Sequence, residues 1–459
     1  MNRPIFEEDA LASLRPGPSE RDHIHSIAAV IVKKIQGSGL ADAMVVGSVA
    51  RDTWISGDRD LDVFMLFSPS VSREELEENG IRLGREIVED MGGIPVEKYA
   101  EHPYINTIID GLDVDLVPCY AVDDASSIQS AVDRTPFHTR YIKEHIGGLE
   151  DDVLLFKQFA KTGGVYGSDL MTEGFAGYLC EVLVLYAGGF GSLVESVTRW
   201  KPGMIIDIEG HRQKDFTDSL IVIDPVDPRR NVAASLSLRR FEEFIDLCRA
   251  YIDHPSSAFF AGRSAARITK QELQSAIDDR GTGFYALVFQ TPHQIPDIVV
   301  PQLRRTIGGI SDLLSRNDFV INRAAGYMGD KECILVFELI VDTLPALRCH
   351  MGPPAHNQVN AKKFASKYLE SPVFSGPYIT ESGIYAVEIR RKWLNARDLL
   401  SSGDIFQARM GKYVEQSMHH GYKICSGAEC WNEEFSEFLY EFINCSSPLK
   451  RLGTIVQGD

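Results

Sequence analysis

The sequence has no apolar run that reaches the roughly 18 residues of a membrane-spanning helix, so we expect no membrane partner. Its first residues, MNRPIFEEDAL, lack the basic-then-apolar order of a secretory signal peptide. No internal repeat or low-complexity segment is visible. The cysteines form no close framework, which favours free thiols in a reducing, cytoplasmic compartment; they are Cys119, Cys180, Cys248, Cys333, Cys349, Cys425, Cys430 and Cys445.

Positive charge is also scarce. The chain has 47 Lys and Arg against 65 Asp and Glu, a formal net charge of −18. Such a field repels phosphate, so any RNA contact is predicted to be confined to a local basic patch and to be sensitive to salt. The 459 residues, 44% of them hydrophobic, are enough for about two to four globular domains.

The stretch that carries the chemistry is residues 44–67, MVVGSVARDTWISGDRDLDVFMLF. A short apolar run ends abruptly at Gly47 and Ser48, and Asp60–Phe67 is apolar beyond its acidic start, which predicts a buried strand. Glycine allows the backbone to approach a phosphate closely, and Ser48 and Arg51 carry donors for its oxygens.

Two carboxylates stand at the start of this predicted strand. Side chains alternate along a strand, so Asp60 and Asp62 share one face while Leu61 and Val63 point into the core. Two carboxylates at that range raise each other's pKa unless a cation lies between them. Mg²⁺ in phosphoryl-transfer sites takes carboxylate oxygens and leaves other positions for phosphates and water.

The arrangement Gly47-Ser48…Asp60-x-Asp62 resembles the signature of polymerase-β-type nucleotidyltransferases. The longer string GSVARDTWISGDRDLDVFMLF is similar to the archaeal-type (class I) CCA-adding tRNA nucleotidyltransferases. The resemblance implies Mg²⁺ as cofactor and tRNA, ATP and CTP as partners. Some members of the family carry glutamate where this chain has Asp60, a change that shortens the reach but keeps the charge.

A third carboxylate is expected on a neighbouring strand. Residues 104–110 and 112–117 are predicted to form a hairpin around an Asp-Gly turn. Asp113 and Asp115 share a face of its second strand, and the pattern does not choose between them. The resemblance does, because the family places its third aspartate in a D-x-V-P-C-Y context, which here is Asp115; Asp113 is then a surface acid.

Further nucleotide contacts come from the resemblance. By type and position, a lone histidine, a helix lysine and a tyrosine beside glycines are ordinary structural residues. The family's motifs match TPFHT, which contains His138, the helix that carries Lys157 and the glycine-rich turn that carries Tyr166. Lys157 suits phosphate as a mobile point charge. The implied nucleotide-binding residues are Gly47, Ser48, Arg51, His138, Lys157, Tyr166 and Arg230.

Arg230 lies within residues 220–239, LIVIDPVDPRRNVAASLSLR, which predict a strand, a turn and a helix. Arg230 is expected immediately before that helix, where backbone N–H groups also point outward. The resemblance implies that this arginine helps to discriminate the incoming base together with the RNA end; otherwise it is an ordinary helix-flanking arginine. The apolar helix at 174–186, GFAGYLCEVLVLY, is predicted to be core.

The second half is predicted to hold strands at 284–290, 319–328 and 332–340, with a helix between the first two. This pattern is similar to RNA-recognition folds. Its basic clusters are predicted to contact an RNA backbone; they comprise Lys362, Lys363, Lys367, Arg390, Arg391 and Lys392. The tail beyond residue 404 is predicted to be helical. Its C-x₄-C spacing, Cys425 to Cys430, is not the usual spacing of a zinc site.

The fold class predicted is α+β and multidomain. The domains are a polymerase-β-type nucleotidyltransferase head at 1–145 with an irregular lead-in over residues 1–18, a helical central nucleotide-binding domain at 146–262, an α+β RNA-binding body at 263–395 and a helical tail at 396–459. The resemblance implies addition of CCA to tRNA 3′ ends, in the cytoplasm, and leaves a homodimer open. The alternatives are a poly(A)- or oligo(A)-adding polymerase of the same superfamily and a catalytically idle RNA-binding protein.

Overall fold

The computed structural model describes residues 3–99, 101–262, 266–445 and 448. Over these residues the chain forms two compact units, one within residues 3–262 and one within residues 266–445. The finer division into four domains stays a prediction. Residues 263–265 of the predicted body, and residues 446–447 and 449–459 of the predicted tail, lie outside the described residues.

The first unit opens with two helices, α1 (Ile5–Leu14) and α2 (Pro18–Gly37). The prediction of an irregular lead-in is therefore wrong over α1. This helix is held by tertiary packing, since its Leu11 is fully buried and its Glu7 accepts a hydrogen bond from the Tyr251 hydroxyl.

Five strands build the sheet of the head region. They are β1 (Asp42–Val45), β2 (Asp60–Phe67), β3 (Val96–Tyr99), β4 (Pro103–Ile109) and β5 (Leu112–Tyr120). Their order is β1-β2-β5-β4-β3, and β2 runs parallel to β5 while the other neighbours are antiparallel. The short helix α3 (Gly47–Ala50) follows β1, and α4 (Arg73–Asp90) follows β2. Apolar side chains of α2, α4 and the strands share one core on one face of the sheet, and a smaller core that includes Val46 and Phe64 lies on the other face.

The rest of the first unit is mostly helical and carries a three-stranded sheet of order β6-β7-β8. Its elements are α5 (Thr135–His145), α6 (Glu150–Gly163), α7 (Gly177–Ala187), α8 (Phe190–Val197), β6 (Met204–Ile206), β7 (Leu220–Asp224), β8 (Asp227–Asn231) and α9 (Leu238–Asp253). Arg230 lies on β8, the second strand of a hairpin, and not immediately before α9 as predicted. The reason is that the segment after β7 turns back and pairs with it, through Ile223 and Asn231.

The second unit contains two antiparallel sheets, in the orders β10-β11-β9-β15 and β12-β14-β13. Its elements are α10 (Lys270–Arg280), β9 (Gly283–Gln290), α11 (Pro296–Arg316), β10 (Ile321–Met328), β11 (Glu332–Leu339), β12 (Leu347–Pro354), α12 (Gln358–Leu369), β13 (Ser375–Ile379), β14 (Ile384–Arg390), α13 (Ala396–Ser401), α14 (Lys412–His420), β15 (Tyr422–Ser426) and α15 (Ser436–Ile443). The three predicted strands and the helix between the first two are confirmed.

The predicted tail is not wholly helical, because β15 pairs with β9 and completes the larger sheet. Its residues face two cores, with Ile424 on one side and Cys425 on the other, so a strand buries both faces of this short run. All eight cysteines are free thiols. In the part of the chain that the structure describes, no single helix is long and apolar enough to cross a membrane. The helices α7 and α8 reach that length and apolarity only together, and they are bent by 91° at the break between them.

Candidate active site

Four acidic side chains meet where the neighbouring strands β2 and β5 begin, at one edge of the sheet. The parallel register places Asp60 opposite Asp113 and Asp62 opposite Asp115. Leu61, between the two β2 acids, is buried in the core on the other face, as the alternation predicts. The structure therefore brings the predicted Asp60, Asp62 and Asp115 to one region of the sheet.

The turn at Gly47 closes over this edge. Val46 donates its backbone N–H to the Asp62 carbonyl at 3.0 Å, and the chain then turns at Gly47 with φ of +72°. A Cβ atom at Gly47 would lie 2.2 Å from Asp62 Oδ2, so any side chain there would clash with the carboxylate. Both the backbone angle and the space favour glycine. Ser48 follows at the start of α3, half-buried beside the same edge.

Electrostatic repulsion is strong at this edge. Burial, and then the charges of Asp115 and Asp60, raise the pKa of Asp62 to about 6, although Arg51 acts in the other direction. The pKa of Asp60 is raised as well, first by burial and then by Asp58. Carboxylates that repel one another in a partly dry site are stabilised by a cation.

Asn106 on β4 joins the two β5 acids and was missed by the sequence analysis. Its side-chain amide donates to Asp115 Oδ1 at 2.7 Å and also to the Asp113 carboxylate. Burial raises the pKa of Asp115, and this hydrogen bond opposes the increase. The available signal was the alternation along β4, which directs Asn106 to the acidic face.

The donor set at this edge consists of carboxylate oxygens, which fits a hard divalent cation. As the side chains stand, however, no three His, Cys, Asp or Glu side chains among residues 3–99, 101–262 and 266–445 are gathered into a group that could hold a metal ion. A cation site here is therefore indicated by the strand register and by the raised pKa values of the acids, and not by a preformed set of metal ligands.

A second group of predicted residues surrounds a buried carboxylate, Glu181 on α7. Arg51 donates from Nε to Glu181 Oε1 at 3.0 Å and from Nη1 to Thr139 Oγ1 at 3.3 Å. Lys157 Nζ lies 3.9 Å from the same Oε1 and donates to the Thr53 carbonyl at 2.6 Å. Lys157 is only 3% exposed, so the expectation of a mobile point charge is wrong. Burial lowers the pKa of Lys157, and Glu181 opposes that shift.

Tyr166 lies close to Lys157. It follows α6 and forms an isolated parallel bridge with Phe175. A Cβ atom added to Gly177, the first residue of α7, would lie 3.3 Å from Tyr166 Oη and 3.8 Å from Lys157 Nζ. Gly177 thus lets both side chains approach the start of α7.

A third group surrounds Asp224 at the end of β7. His138 Nε2 lies 2.8 Å from Asp224 Oδ2, and Arg230 Nη1 donates to the same oxygen at 2.7 Å. Tyr178 donates to Oδ1 at 3.2 Å and stacks on the His138 ring at 4.0 Å. Burial disfavours the Asp224 charge, but these partners outweigh it and hold its pKa at about 2. Burial lowers the pKa of His138, and the hydrogen bond and charge of Asp224 oppose that shift.

A cavity of about 1120 Å³ opens beside Arg230. Arg134 and Arg229 also line it, together with the Phe216 ring. Arg134 is paired with Asp227 at 2.8 Å, while Arg229 Nε donates to Gln213 Oε1 at 3.3 Å. The lining is therefore rich in guanidinium groups, which suits a phosphate-bearing ligand.

The structure thus places the predicted residues in three groups, of which two are organised by acids that the sequence analysis did not single out. Both acids had a signal in the sequence. Glu181 is the one charged residue of the apolar run GYLCEVLVLY, and Asp224 ends the apolar strand LIVID. A charge inside an apolar element is costly unless partners compensate it, so each acid indicated a cationic neighbour.

Three family models match successive parts of the chain: the nucleotidyltransferase domain at residues 27–138, the second domain of tRNA nucleotidyltransferase at 151–261 and the C-terminal domain of the CCA-adding enzyme at 280–427. The chain is 53% identical to the CCA-adding enzyme of Methanoregula boonei over 97% of each chain. It is 39% identical to that of Methanosarcina mazei, over 94% of this chain and 97% of the relative.

Solved structures show a weaker likeness. The Cid1 poly(U) polymerase with Mg 3′-dATP bound matches 56% of this chain and 97% of its own, with a TM-score of 0.44 and 14% identity. The CdnC protein of E. coli MS115-1 with ATP matches 56% and 93%, with a TM-score of 0.43 and 18% identity. CCA-adding nucleotidyltransferases generally use a divalent metal ion. From its identity and coverage with curated relatives, the chain belongs to the CCA-adding enzymes and is a tRNA nucleotidyltransferase.

Proposed function

We propose that the edge formed by β2 and β5 is the catalytic centre, and that it transfers CMP twice and AMP once to a tRNA 3′ end without a nucleic-acid template. The single observation that carries the proposal is the parallel register of Asp62 with Asp115, beside a turn whose backbone angle and close approach to Asp62 favour glycine. Asp60, Asp62 and Asp115 would hold Mg²⁺, which supplies charge for activating the terminal hydroxyl and neutralising pyrophosphate.

The chain's own residues bind and orient the nucleotide. The Gly47 turn brings backbone close to the triphosphate, and Ser48 supplies a hydroxyl donor. Arg51 and Lys157 supply two fixed positive charges, supported by their contacts with Glu181. The other proposed triphosphate contacts are His138 and Tyr166.

Arg230 is proposed to help read the base. Its guanidinium lines the cavity of about 1120 Å³ while Nη1 is fixed by Asp224, so its remaining donors are held in a defined direction. Arg134 and Arg229 line the same cavity and suit the phosphates of the RNA end.

The second unit is proposed to contact the body of the tRNA. Its basic helix α12 presents exposed lysines at positions 362, 363 and 367, and basic side chains of this kind bind phosphate without reading sequence. A tRNA substrate agrees with action in the cytoplasm. A homodimer stays a prediction.

The test is an addition assay with the full chain, Mg²⁺ and labelled tRNA that lacks its 3′ end. We expect two added residues with CTP, and a third only when ATP is also present. Omitting Mg²⁺ and adding a chelator abolishes addition. A long ladder with ATP alone supports an oligo(A)-adding polymerase instead, and RNA binding without addition supports an idle binding protein.

A further inference from the structure

Glu181 is a buried acid beside Arg51 and Lys157, two of the residues proposed to bind the triphosphate. It is not itself one of the proposed triphosphate-binding residues. It lies in the middle of α7, its side chain is 0% exposed, and the helix around it is apolar. Burying an ionised carboxylate is strongly unfavourable unless charges and hydrogen bonds compensate it. Its partners therefore indicate why this position holds an acid.

Those partners converge on one of its two oxygens. Arg51 Nε donates to Oε1 at 3.0 Å, the Thr53 hydroxyl donates to the same atom, and Lys157 Nζ lies 3.9 Å from it. Thr53 also accepts from Lys157 through its carbonyl, at 2.6 Å. Thr53 thus contacts both the acid and the lysine, and the four residues form one network.

The network solves a problem of charge. Arg51 and Lys157 are both buried, and each repels the other. An unneutralised pair of buried cations would relax by side-chain movement or by loss of the Lys157 proton. Within this group of four residues, Glu181 offsets one of the two positive charges.

The donors that remain are suited to phosphate. Arg51 uses Nε for Glu181 and Nη1 for Thr139. Among the described residues no hydrogen bond involves its Nη2, which is therefore left for a ligand. Tethering through Nε also fixes the plane of the guanidinium. Donors that are held before the ligand arrives lose little conformational entropy on binding.

We propose that Glu181 is a positioning residue for nucleotidyl transfer, which holds Arg51 and Lys157 in the arrangement that binds the triphosphate. The inference rests on the proposed role of those two residues as triphosphate contacts. Glu181 itself does not touch the nucleotide. Its removal therefore weakens nucleotide binding more than it slows the reaction at saturating nucleotide.

The first experiment compares Glu181→Gln with the wild-type chain. Glutamine keeps the size and one acceptor oxygen but removes the charge, so the two cations repel each other. We expect the Kd for CTP to rise about tenfold or more, as for loss of a charge-assisted hydrogen bond, with an equal rise for inorganic pyrophosphate. The affinity for tRNA and kcat at saturating CTP change less than about threefold, as for a loss of uniform binding.

Glu338→Gln is the matched control. Glu338 is also 0% exposed and is held by two arginines, Arg280 and Arg323, but it lies in the second unit. Both variants lose a buried ion pair, so both should melt at a lower temperature. Only Glu181→Gln should lose affinity for CTP; equal CTP affinity in the two variants overturns the proposal.

A double variant tests whether Glu181 acts through Arg51. If it does, Glu181→Gln costs at least about threefold less in CTP affinity when Arg51 is already alanine, because coupled residues are not additive. An undiminished effect overturns the proposal. Should Glu181→Gln fail to fold, Glu181→Asp carries the test: it keeps the charge but withdraws it by one methylene group, and we expect a smaller loss of CTP affinity in a folded protein.

The outcome is distinguishable from failure of the proposed function. A wild-type chain that adds no nucleotide to tRNA contradicts the proposed function, whatever the variants do. A wild-type chain that adds CCA, together with a Glu181→Gln variant that binds CTP and pyrophosphate normally, contradicts the inference and leaves the proposed function intact.

Discussion

Asp62 and Asp224 are both aspartates of the first unit, the first half-buried and the second fully buried, and their pKa values shift in opposite directions. The pKa of Asp62 is raised to about 6 by burial and by the facing carboxylates Asp115 and Asp60. The pKa of Asp224 is lowered to about 2, because His138 and Arg230 outweigh the cost of burial. The neighbours, rather than the residue type, decide the sign.

This difference separates two uses of a buried acid. The edge of β2 and β5 concentrates negative charge that its own neighbours do not neutralise, so the site favours a cation from solution. Asp224 and Glu181 already have cations from the chain and hold them in place. The first kind of acid is expected to act in chemistry and to destabilise the fold, whereas the second is expected to stabilise it.

Asp62→Asn should produce the largest effect. We expect activity to fall at least about a thousandfold, because a ligand and a charge are lost at the centre of the site. The free energy of unfolding in the presence of a chelator should not fall, since the substitution removes repulsion. The control is Glu338→Gln, a buried acid of the second unit, for which activity should stay within about threefold of wild type. A marked loss of stability in Asp62→Asn would break the comparison.

Asp224→Asn should reduce activity less than Asp62→Asn does, but it should lower the stability of the fold. The His138 ring and the Arg230 guanidinium lose the charge that fixes them, so activity should fall about ten- to a hundredfold. Unlike Asp62→Asn, this variant should also lose about 3 kcal/mol of unfolding free energy, as when one partner of a buried ion pair is removed. Chemical denaturation measures the second quantity. Unchanged stability would mean that Asp224 does not compensate its partners.

The dependence of stability on pH sharpens the contrast. The folded-state pKa of Asp224, about 2, lies below its ordinary value of 3.8. Its contribution is therefore fully present above pH about 4 and is lost as the pH falls through about 2, an amount of about 2 kcal/mol. The difference in unfolding free energy between wild type and Asp224→Asn should shrink by that amount across this window, when measured by denaturant titration at fixed pH values.

Asn106→Ala should have the smallest of these effects. The amide donates to Asp115 and to Asp113 and so keeps the two carboxylates in place. Its loss should lower the rate at saturating divalent metal about tenfold, in the range found when a group behind a metal ligand is removed. Steady-state kinetics with a full metal titration measure this. Asn106→Asp, which adds a fifth acid at the edge, should be worse than alanine.

Much of the fold followed from local pattern. The hairpin between β4 and β5 was expected at the Asp-Gly turn, and Asp110 and Gly111 both adopt positive φ there. The β2 strand begins and ends at the predicted residues, Asp60 and Phe67. Both features depend on short-range rules, namely turn chemistry and alternation, which neighbouring residues determine.

The two errors have different causes. Arg230 was expected before a helix and lies on a strand, and Lys157 was expected to be mobile and is buried. The strand that holds Arg230 pairs with its neighbour in sequence, β7, in a hairpin, whereas the partner that compensates Lys157 is Glu181 on another helix. The pattern around Lys157 contains no record of such a partner, whereas the turn that pairs β8 with β7 lies within the stretch 220–239.

The sequence by itself determined the acidic strand, the glycine turn before it and the family to which the chain is similar, because these features lie within short stretches whose chemistry neighbouring residues define. Only the tertiary structure decided which acids remain uncompensated. That depends on which side chains packing brings within a few ångströms of a carboxylate in a dry interior, where a single opposite charge reverses the direction of a pKa shift.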